Sequence, residues 1–232
     1  MMTELIQTNW QNKNIRLGDK PCLSLTDFFV TEFADALYNE LKDSLTYQKV
    51  NLNGVTKLNR GERELGDTYF GKFLVKQEKE INAINTLLRL SESQEFLHFL
   101  SNIMQEEIIF LRPGTPYLMN EGDKICIHDD MSDPIHSCAV VFNFTKNWQK
   151  GYGGNTIVGT VLREVDIVTP PEVPFQLTKL FLKKEKKIIT PRYNTCLILK
   201  LKKGFGHGVS QIKSNKNRLS FVTIYGSYNR DK

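Results

Sequence analysis

The sequence predicts an α+β protein that is mainly β, with helices in its N-terminal half and an antiparallel barrel or two-sheet jelly roll in the rest. Before residue 110 apolar residues recur at helical spacing, and after it short β-rich runs alternate with Gly, Pro and Asn. A chain of 232 residues is long enough for one domain with a sizeable core. We expect residues 1–232 to form one domain, with 1–110 as a mainly helical support region and 111–232 as the jelly-roll core.

Helical patterns occur in three segments of the first half. In TDFFVTEFADALYNELKDS the residues Phe29, Phe33, Leu37 and Leu41 are spaced four apart, which draws one apolar stripe along a helix. The segments EKEINAINTLLRL and SQEFLHFLSNIMQ repeat this spacing. Ser93 is placed to cap the last of these helices, because Ser accepts hydrogen bonds from the first free backbone N–H groups.

Strand patterns begin between these helices and dominate the second half. TYQKVNLNGVTKLN alternates around an Asn-Gly pair, which is typical of a hairpin. Five further runs are rich in β-branched and aromatic residues: KICIH, CAVVFNFT, NTIVGTVL, NTCLILKL and RLSFVTIY. The lysine-rich FLKKEKKII is expected to be a solvated loop or an edge strand, where lysines discourage aggregation.

Composition excludes several classes of protein. The net charge of +5 is compatible with acidic ligands but does not require nucleic acid. No apolar run reaches the roughly 18 residues of a membrane span, and the first residues lack the apolar core of a signal peptide. The four scattered cysteines form no CxxC pair, so we expect reduced thiols and a cytoplasmic protein without a membrane partner. They are Cys22, Cys126, Cys138 and Cys196.

The segment KICIHDDMSD places a histidine and two aspartates at the end of a strand. Side chains two apart in a strand share a face, so His128 and Asp130 are expected to point the same way and Asp129 the opposite way. A His and Asp pair can hold a metal ion with one nitrogen and one oxygen. His98 lies among core-type residues of a helix and is expected to be structural.

His207 is the candidate third ligand. It lies in GFGHGVSQI, between glycines that let the backbone bend. Two histidines and one carboxylate (His128, Asp130 and His207), with further coordination positions open, are characteristic of non-heme Fe(II) oxygenases. Cys126 lies on the face of His128, where we favour a core filler over a wall of the site.

Arg218 and Ser220 share one face of the strand RLSFVTIY, close after His207 in the chain. The planar guanidinium binds carboxylates in a bidentate manner, and a hydroxyl adds a further hydrogen bond. The alternative is an arginine in a surface salt bridge. The histidine upstream favours a carboxylate-binding site instead.

Together these residues resemble the 2-oxoglutarate and Fe(II)-dependent dioxygenases, in particular the branch related to prolyl hydroxylases. The family order is H-x-D, a distant histidine and then an arginine, which corresponds here to His128, Asp130, His207 and Arg218. NEGDKICIHDD resembles that branch's glycine-aspartate turn before the metal strand. PRYNTCLILKL followed by GFGHGVSQI resembles the strand and turn that deliver the second histidine.

FNFTKNWQKGYGGNT also resembles a segment of that branch, with Trp148, Gly153 and Gly154 as its tryptophan and double glycine. The likeness covers roughly residues 110 to 226, and the N-terminal half fits only loosely. It implies a double-stranded β-helix, a jelly roll whose mouth holds the iron. Helices would pack along its larger sheet.

The resemblance implies an enzyme that uses Fe(II), 2-oxoglutarate and O2, with ascorbate as a candidate reductant. His128, Asp130 and His207 would be the catalytic metal ligands, and Arg218 with Ser220 would bind the far carboxylate of 2-oxoglutarate. The co-substrate would be decarboxylated to succinate while an unactivated C–H bond is hydroxylated. Because Asp130 is present, hydroxylation is favoured over halogenation.

Two features depart from the family pattern. Many relatives carry basic residues after the H-x-D motif, whereas this chain has SDPIHSCAV, in which His136 either contacts substrate or caps a loop; we favour the loop. The stretch between Gly154 and Asn194 includes VTPPEVPFQ and the lysine-rich run, and it is either a lid or a decoration.

Two alternative functions are compatible with the same fold: a nucleic-acid demethylase and a non-enzymatic ligand sensor. Nucleic-acid demethylases carry an R-x-N-x-x-x-x-R pattern after the co-substrate arginine, which RLSFVTIYGSYNR lacks. A non-enzymatic ligand sensor would be expected to have lost one of the site residues. The sequence leaves the substrate open among an amino acid, a small metabolite and a peptidyl side chain. It also leaves open the stereochemistry, the oligomeric state, and whether the product is hydroxylated, desaturated or cyclised.

Overall fold

The computed structural model describes residues 2–11, 14–52, 56–64, 72–130, 133–166 and 178–228. Within these ranges the helices all lie in the first half of the chain: α1 Met2–Leu5, α2 Thr8–Gln11, α3 Thr31–Asp43, α4 Asn82–Glu92 and α5 Gln94–Met104. None of these helices is long and apolar enough to span a membrane.

Twelve strands are described, and most of them follow the helices. They are β1 Cys22–Thr26, β2 Tyr47–Leu52, β3 Thr56–Gly61, β4 Ile109–Phe110, β5 Thr115–Met119, β6 Lys124–His128, β7 His136–Asn143, β8 Thr156–Asp166, β9 Thr178–Ile189, β10 Thr195–Lys200, β11 Phe205–Val209 and β12 Arg218–Gly226. All their pairings are antiparallel.

The strands form one sheet that rolls up on itself. Its order is β1-β10-β7-β12-β5-β3-β6-β11-β8-β9, with β2 added beside β3 and β4 beside β12. Val158 on β8 belongs to the same buried cluster as Ala139 on β7 and Leu197 on β10, although β8 is far from those strands in the order. Two facing layers therefore enclose an apolar interior, which confirms the predicted jelly roll of the double-stranded β-helix type.

The helices cover the outer face of the layer that contains β7, β10 and β12. Alternate residues Phe142, Ile198 and Phe221 point outward into the large core, where Phe28 and Phe96 pack against them. Because β7 is covered on both faces, all of its residues are buried, and its sequence is a nearly continuous apolar run. The helices thus hold rigid the sheet that carries Arg218.

Most elements predicted from the sequence are confirmed, with shifts at their ends. Ser93 caps α5 by accepting a hydrogen bond from the Phe96 backbone N–H at 3.3 Å. Phe29 precedes α3 rather than lying in it, yet it packs edge-on against Phe33 with ring centroids 5.2 Å apart. The lysine-rich run is β9, an edge strand that pairs with β8. VTPPEVPFQ lies outside the described residues.

The N-terminal half contributes more to the sheet than the expected helical support region would. Strand β1 extends the major layer by pairing with β10, and β3 pairs with both β5 and β6. The run CLSLT is too short to show a clear period, so the sequence did not predict β1. Its place at the sheet edge comes from the neighbouring strand.

Candidate metal centre and its cavity

Three potential metal ligands meet at one end of the roll. His128 ends β6, and His207 lies directly opposite it on β11. The Nε2 atoms of His128 and His207 lie 3.3 and 3.1 Å from the two carboxylate oxygens of Asp130. One ligand atom from each residue lies within 4.8 Å of the others. The structure therefore brings together the three residues that the sequence suggested.

The sequence analysis attributed this convergence to strand alternation, and that explanation is wrong. Strand β6 ends at His128, so strand alternation does not extend to the aspartates. Asp130 instead has a left-handed backbone, with φ of 54°, a conformation that Asp adopts more readily than most residues. Asp129 is not turned to the opposite face either, because it lines the same cavity.

The electrostatics of the cluster are dominated by Asp130. Burial acts to lower the pKa of His128, but the Asp130 carboxylate and the Cys126 carbonyl outweigh it and raise that pKa to about 9. Burial and the neighbouring His128 charge lower the pKa of His207. Burial acts to raise the pKa of Asp130, yet the two histidines hold it well below its usual range. Without a metal ion, a protonated His128 and an ionised Asp130 neutralise each other.

The tautomer of His128 follows from its second ring nitrogen. Its Nδ1 lies 2.9 Å from the backbone carbonyl of Cys126, which can only accept, so Nδ1 carries a hydrogen. When His128 is neutral, its Nε2 therefore holds the lone pair and faces Asp130 and His207. This is the arrangement that a metal-binding histidine requires.

Glycines beside His207 serve a different purpose from the one expected. Neither Gly206 nor Gly208 has a left-handed φ. A Cβ on Gly208 would lie 2.7 Å from the Ile125 carbonyl oxygen, and one on Gly206 would lie 2.8 Å from the Ile127 side chain. The glycines therefore allow β11 to approach β6 closely, which sets the spacing of the two histidines.

The glycine-aspartate turn fixes the start of the metal strand. Asp123 is buried, and its carboxylate accepts a hydrogen bond from the Asn120 backbone N–H at 2.7 Å. Gly122 has φ of 82°, and Lys57 lies 3.7 Å from the second Asp123 oxygen. The turn is thus locked before β6 begins, so that the strand reaches the cluster in a fixed register.

Arg218 lies on the inner face of β12, within the same cavity, and only 2% of it is exposed. Its guanidinium donates to the Ser220 hydroxyl at 3.3 Å. It is part of no salt bridge among the described residues, and its Nε has no hydrogen-bond partner. Burial lowers the pKa of Arg218 to about 10, so it is still charged at neutral pH. A buried charge of this kind requires an anion.

Two residues of the arginine site were missed by sequence reasoning. Arg218 Nη2 donates to Asn143 Oδ1 at 3.4 Å and to Thr156 Oγ1 at 3.3 Å. Both are neutral, so they orient the guanidinium without cancelling its charge. The signal that could have found Asn143 is its position in CAVVFNFT, since a polar residue in a strand buried on both faces needs a partner.

The tryptophan and double-glycine segment lies behind the arginine. Trp148 Nε1 donates to the Gly153 carbonyl at 3.0 Å, and both glycines have left-handed backbones. A Cβ on Gly154 would lie 2.8 Å from the Trp148 ring and 3.4 Å from Arg218 Cδ. This segment therefore presses the arginine stem into place, which gives the motif a physical role.

The metal cluster and the arginine line one cavity of about 700 Å³. Its inner wall is apolar and consists of Ala139, Val141, Leu199, Val222 and Ile224. Cys126 also lines the cavity and is half-buried, so it is a wall residue and not the core filler we favoured. Arg192 is exposed and does not line the cavity.

The hairpin of β8 and β9 borders the mouth of this cavity. Glu164, Thr178 and Leu180 line the same space as the metal cluster. Glu164 is exposed, whereas Leu180 is 5% exposed. The described part of the stretch between Gly154 and Asn194 is therefore more than a decoration, because it forms one side of the entrance.

His136 is not among the residues that line this cavity, and its side chain binds the loop between β6 and β7. It is the first residue of β7 and 8% exposed, and its Nδ1 lies 2.7 Å from the Asp130 backbone carbonyl. His98, by contrast, is exposed on α5 rather than packed. The loop role favoured for His136 is therefore confirmed, because its imidazole binds a backbone carbonyl of the segment between β6 and β7.

Comparison with known proteins identifies the fold to which this structure is similar. The sequence matches no family model and no curated protein. The structure is similar to an oxidoreductase of the 2OG-Fe(II) oxygenase family from Burkholderia pseudomallei, with a TM-score of 0.59 and 18% identity over 99% of this chain and 92% of that one. It is also similar to a prolyl hydroxylase from Trichoplax adhaerens, solved with a hypoxia inducible factor peptide fragment. There the TM-score is 0.62, with 12% identity over 92% and 87% of the chains.

A third similar structure is HygX from Streptomyces hygroscopicus, which was solved with nickel, 2-oxoglutarate and hygromycin B bound. Its TM-score is 0.57, with 13% identity over 92% of this chain and 85% of that one. These likenesses show the fold: this chain has the double-stranded β-helix of the 2-oxoglutarate and Fe(II) oxygenases and prolyl hydroxylases. The resemblance seen in the sequence is confirmed at that level.

Proposed function

We propose that this protein is an Fe(II) and 2-oxoglutarate-dependent dioxygenase that hydroxylates an unactivated C–H bond of an amino acid, small metabolite or peptidyl substrate. The observation that carries the proposal is the pairing, in one cavity, of a two-histidine, one-carboxylate cluster with a buried arginine that has no acidic partner among the described residues. Neither feature alone would define this chemistry.

The metal cluster fits Fe(II). Two imidazole nitrogens and one carboxylate, without a thiolate, are the donors of the facial triad, and they leave further coordination positions open. His128 would bind through Nε2 because its Nδ1 hydrogen is engaged by the Cys126 carbonyl. When bound, iron and 2-oxoglutarate would together supply the oxidative chemistry: substrate C–H, O2 and 2-oxoglutarate give the alcohol, succinate and CO2.

The arginine site fits the far carboxylate of 2-oxoglutarate. Arg218 offers a charge without a counter-ion, and Ser220 accepts from the guanidinium while keeping its own hydrogen for a carboxylate oxygen. The surrounding wall is apolar, so it excludes water and strengthens the charge pairing. The role of these residues is to orient the co-substrate toward the metal cluster.

The rest of the cavity would hold the substrate. At about 700 Å³ it falls within the range of about 300 to 1,000 Å³ that is typical of small-molecule sites. The entrance is bordered by the described part of the β8–β9 hairpin, through Glu164, Thr178 and Leu180, which makes these residues the ones that would contact substrate. Structures of this fold have been solved with a peptide fragment and with hygromycin B bound, which supports both peptidyl and small-molecule substrates.

The test is binding followed by turnover. Under anaerobic conditions, protein with Fe(II) and 2-oxoglutarate should develop the weak visible charge-transfer band of the chelate. A screen of amino acids and peptides for substrate-stimulated succinate formation would then identify the substrate class. Iron-loaded protein that does not bind 2-oxoglutarate would contradict the dioxygenase proposal and support a ligand sensor instead.

A further inference from the structure

The backbone of Asp130 is held by a side chain from the opposite layer of the roll. His136 Nδ1 lies 2.7 Å from the carbonyl oxygen of Asp130, and the carbonyl can only accept. Nδ1 therefore carries a hydrogen and donates it. The contact joins β7, in the helix-covered layer, to the second residue after β6, in the other layer.

Asp130 needs such support because of its backbone. It lies beyond the end of β6, so no strand pairing fixes its conformation, and it has a left-handed φ of 54°. Left-handed non-glycine residues cost free energy and persist where the surroundings hold them. The carbonyl and the side chain of Asp130 both extend from its Cα, so a contact that fixes the carbonyl and the backbone conformation restrains the position from which the carboxylate extends.

His136 is well placed to act as an anchor. It pairs with Gly226 at the end of β12, and its backbone N–H donates to the Asp133 carbonyl at 3.1 Å. Next to it, the Ile135 backbone N–H donates to Asp133 Oδ1 at 3.0 Å. The imidazole is 8% exposed, so its ring is restrained by packing as well as by the hydrogen bond.

We propose that His136 is a positioning residue that holds Asp130 in its left-handed conformation, so that the carboxylate stays between His128 and His207 before any metal binds. The inference rests on the proposed metal site and deepens it. His136 itself would touch neither metal nor substrate. Its contribution is to preorganise the third ligand, as outer hydrogen bonds do for many metal ligands.

The experiment compares three replacements of His136. His136→Leu removes the donor, His136→Asn places an amide N–H near the position of Nδ1, and His136→Gln places it near Nε2, where it cannot reach the carbonyl. Mn(II), which is stable in air, is titrated into each variant by calorimetry. Loss of an outer partner typically lowers metal affinity about 10- to 100-fold, so His136→Leu and His136→Gln should show that loss, whereas His136→Asn should largely keep the affinity of the unmodified protein.

A double-mutant cycle separates positioning from general stability. In the background of Asp130→Ala, His136→Leu should cause no further loss of Mn(II) affinity, because the residue it positions is gone. His98→Leu, on the exposed face of α5, is the matched control and should bind Mn(II) as the unmodified protein does. Thermal unfolding of each metal-free variant shows whether it is folded.

Three results would overturn the inference. Unchanged Mn(II) affinity in both His136→Leu and His136→Gln would show that the contact positions nothing. An equal loss with and without Asp130 would show that His136 acts on stability alone. If the unmodified protein binds no divalent metal, the proposed function fails first and this inference fails with it; metal binding that is indifferent to His136 defeats only the inference.

Discussion

The two ends of the cavity differ in how their charges are satisfied. At the metal end, Asp130 and His128 neutralise each other, and their side chains are 27% and 35% exposed. At the other end, Arg218 is buried, and its described partners Ser220, Asn143 and Thr156 are neutral. A metal ion that binds at the first end must therefore displace the proton of His128. A carboxylate that binds at Arg218 displaces no charged partner among the described residues.

The two ends also differ in what holds them. Arg218 lies within β12, between strands that the helices press from outside, and the Trp148 segment packs against its stem. Asp130 is the second residue after β6 and depends on a left-handed backbone and on His136. The comparison indicates an arginine end supported by strand pairing and packing, and a histidine–aspartate end whose geometry depends on a few local contacts.

The largest expected effect separates the two aspartates. Asp130→Ala deletes a metal ligand and a negative charge, so metal affinity should fall more than the about 100-fold caused by losing outer partners, and turnover should be lost. Asp129→Ala should keep both within a modest factor, since Asp129 lines the cavity but the ligand cluster among the described residues consists of His128, Asp130 and His207. Metal content and succinate formation are measured side by side. If Asp129→Ala loses metal and succinate formation while Asp130→Ala keeps both, the ligand assignment is reversed.

The next effect concerns the opposite end. Arg218→Ala should weaken 2-oxoglutarate binding by well over tenfold, because removing one partner of a buried charge pair costs about 2 to 5 kcal/mol. Metal affinity should change little, since the arginine does not contact the cluster. Arg192→Ala, which alters an exposed arginine, is the matched control. Calorimetric titration of 2-oxoglutarate into metal-loaded protein measures both, and equal losses in the two variants would refute the assignment of Arg218.

A pH dependence should distinguish the ends. His128 in the metal-free protein has a pKa of about 9, so below that pH a metal ion must displace its proton. Apparent metal affinity should therefore rise about tenfold per pH unit between about pH 7 and 9, and then level off. The pKa of His207 is lowered, so it adds no second proton in this range. Proton release, measured by calorimetry in buffers of different ionisation enthalpy, should be about one per metal ion; a flat profile would contradict the His128–Asp130 pairing.

The smallest effect tests how the arginine is oriented. Asn143→Ala removes the acceptor 3.4 Å from Arg218 Nη2 but leaves the charge in place. The loss of one such hydrogen bond costs roughly 1 kcal/mol, so 2-oxoglutarate affinity should fall about fivefold and metal affinity should not change. Metal affinity, measured on the same variant, is the internal control. A loss as large as that of Arg218→Ala would mean that Asn143 binds the co-substrate directly.

Much of the fold could be predicted from the sequence, because its patterns are local. The KICIH run became β6 without a shift of either end, and the Ser93 cap formed as expected. Strand β1 could not be predicted, since CLSLT has only one β-branched residue, Thr26, and gains its strand conformation from pairing with β10. The region 1–110 contributes four described strands to the sheet, of which the sequence predicted the hairpin of β2 and β3.

For the candidate site, the sequence by itself determined which residues are available: His128, Asp130, His207, Arg218 and Ser220 are chemically distinctive and occur in a recognisable order. Only the tertiary structure decided how they meet. Asp130 reaches the histidines through a left-handed backbone held by His136, and Arg218 is short of a counter-ion because its neighbours on β7 and β8 are neutral. Both facts depend on contacts between residues distant in the chain, which local spacing does not encode.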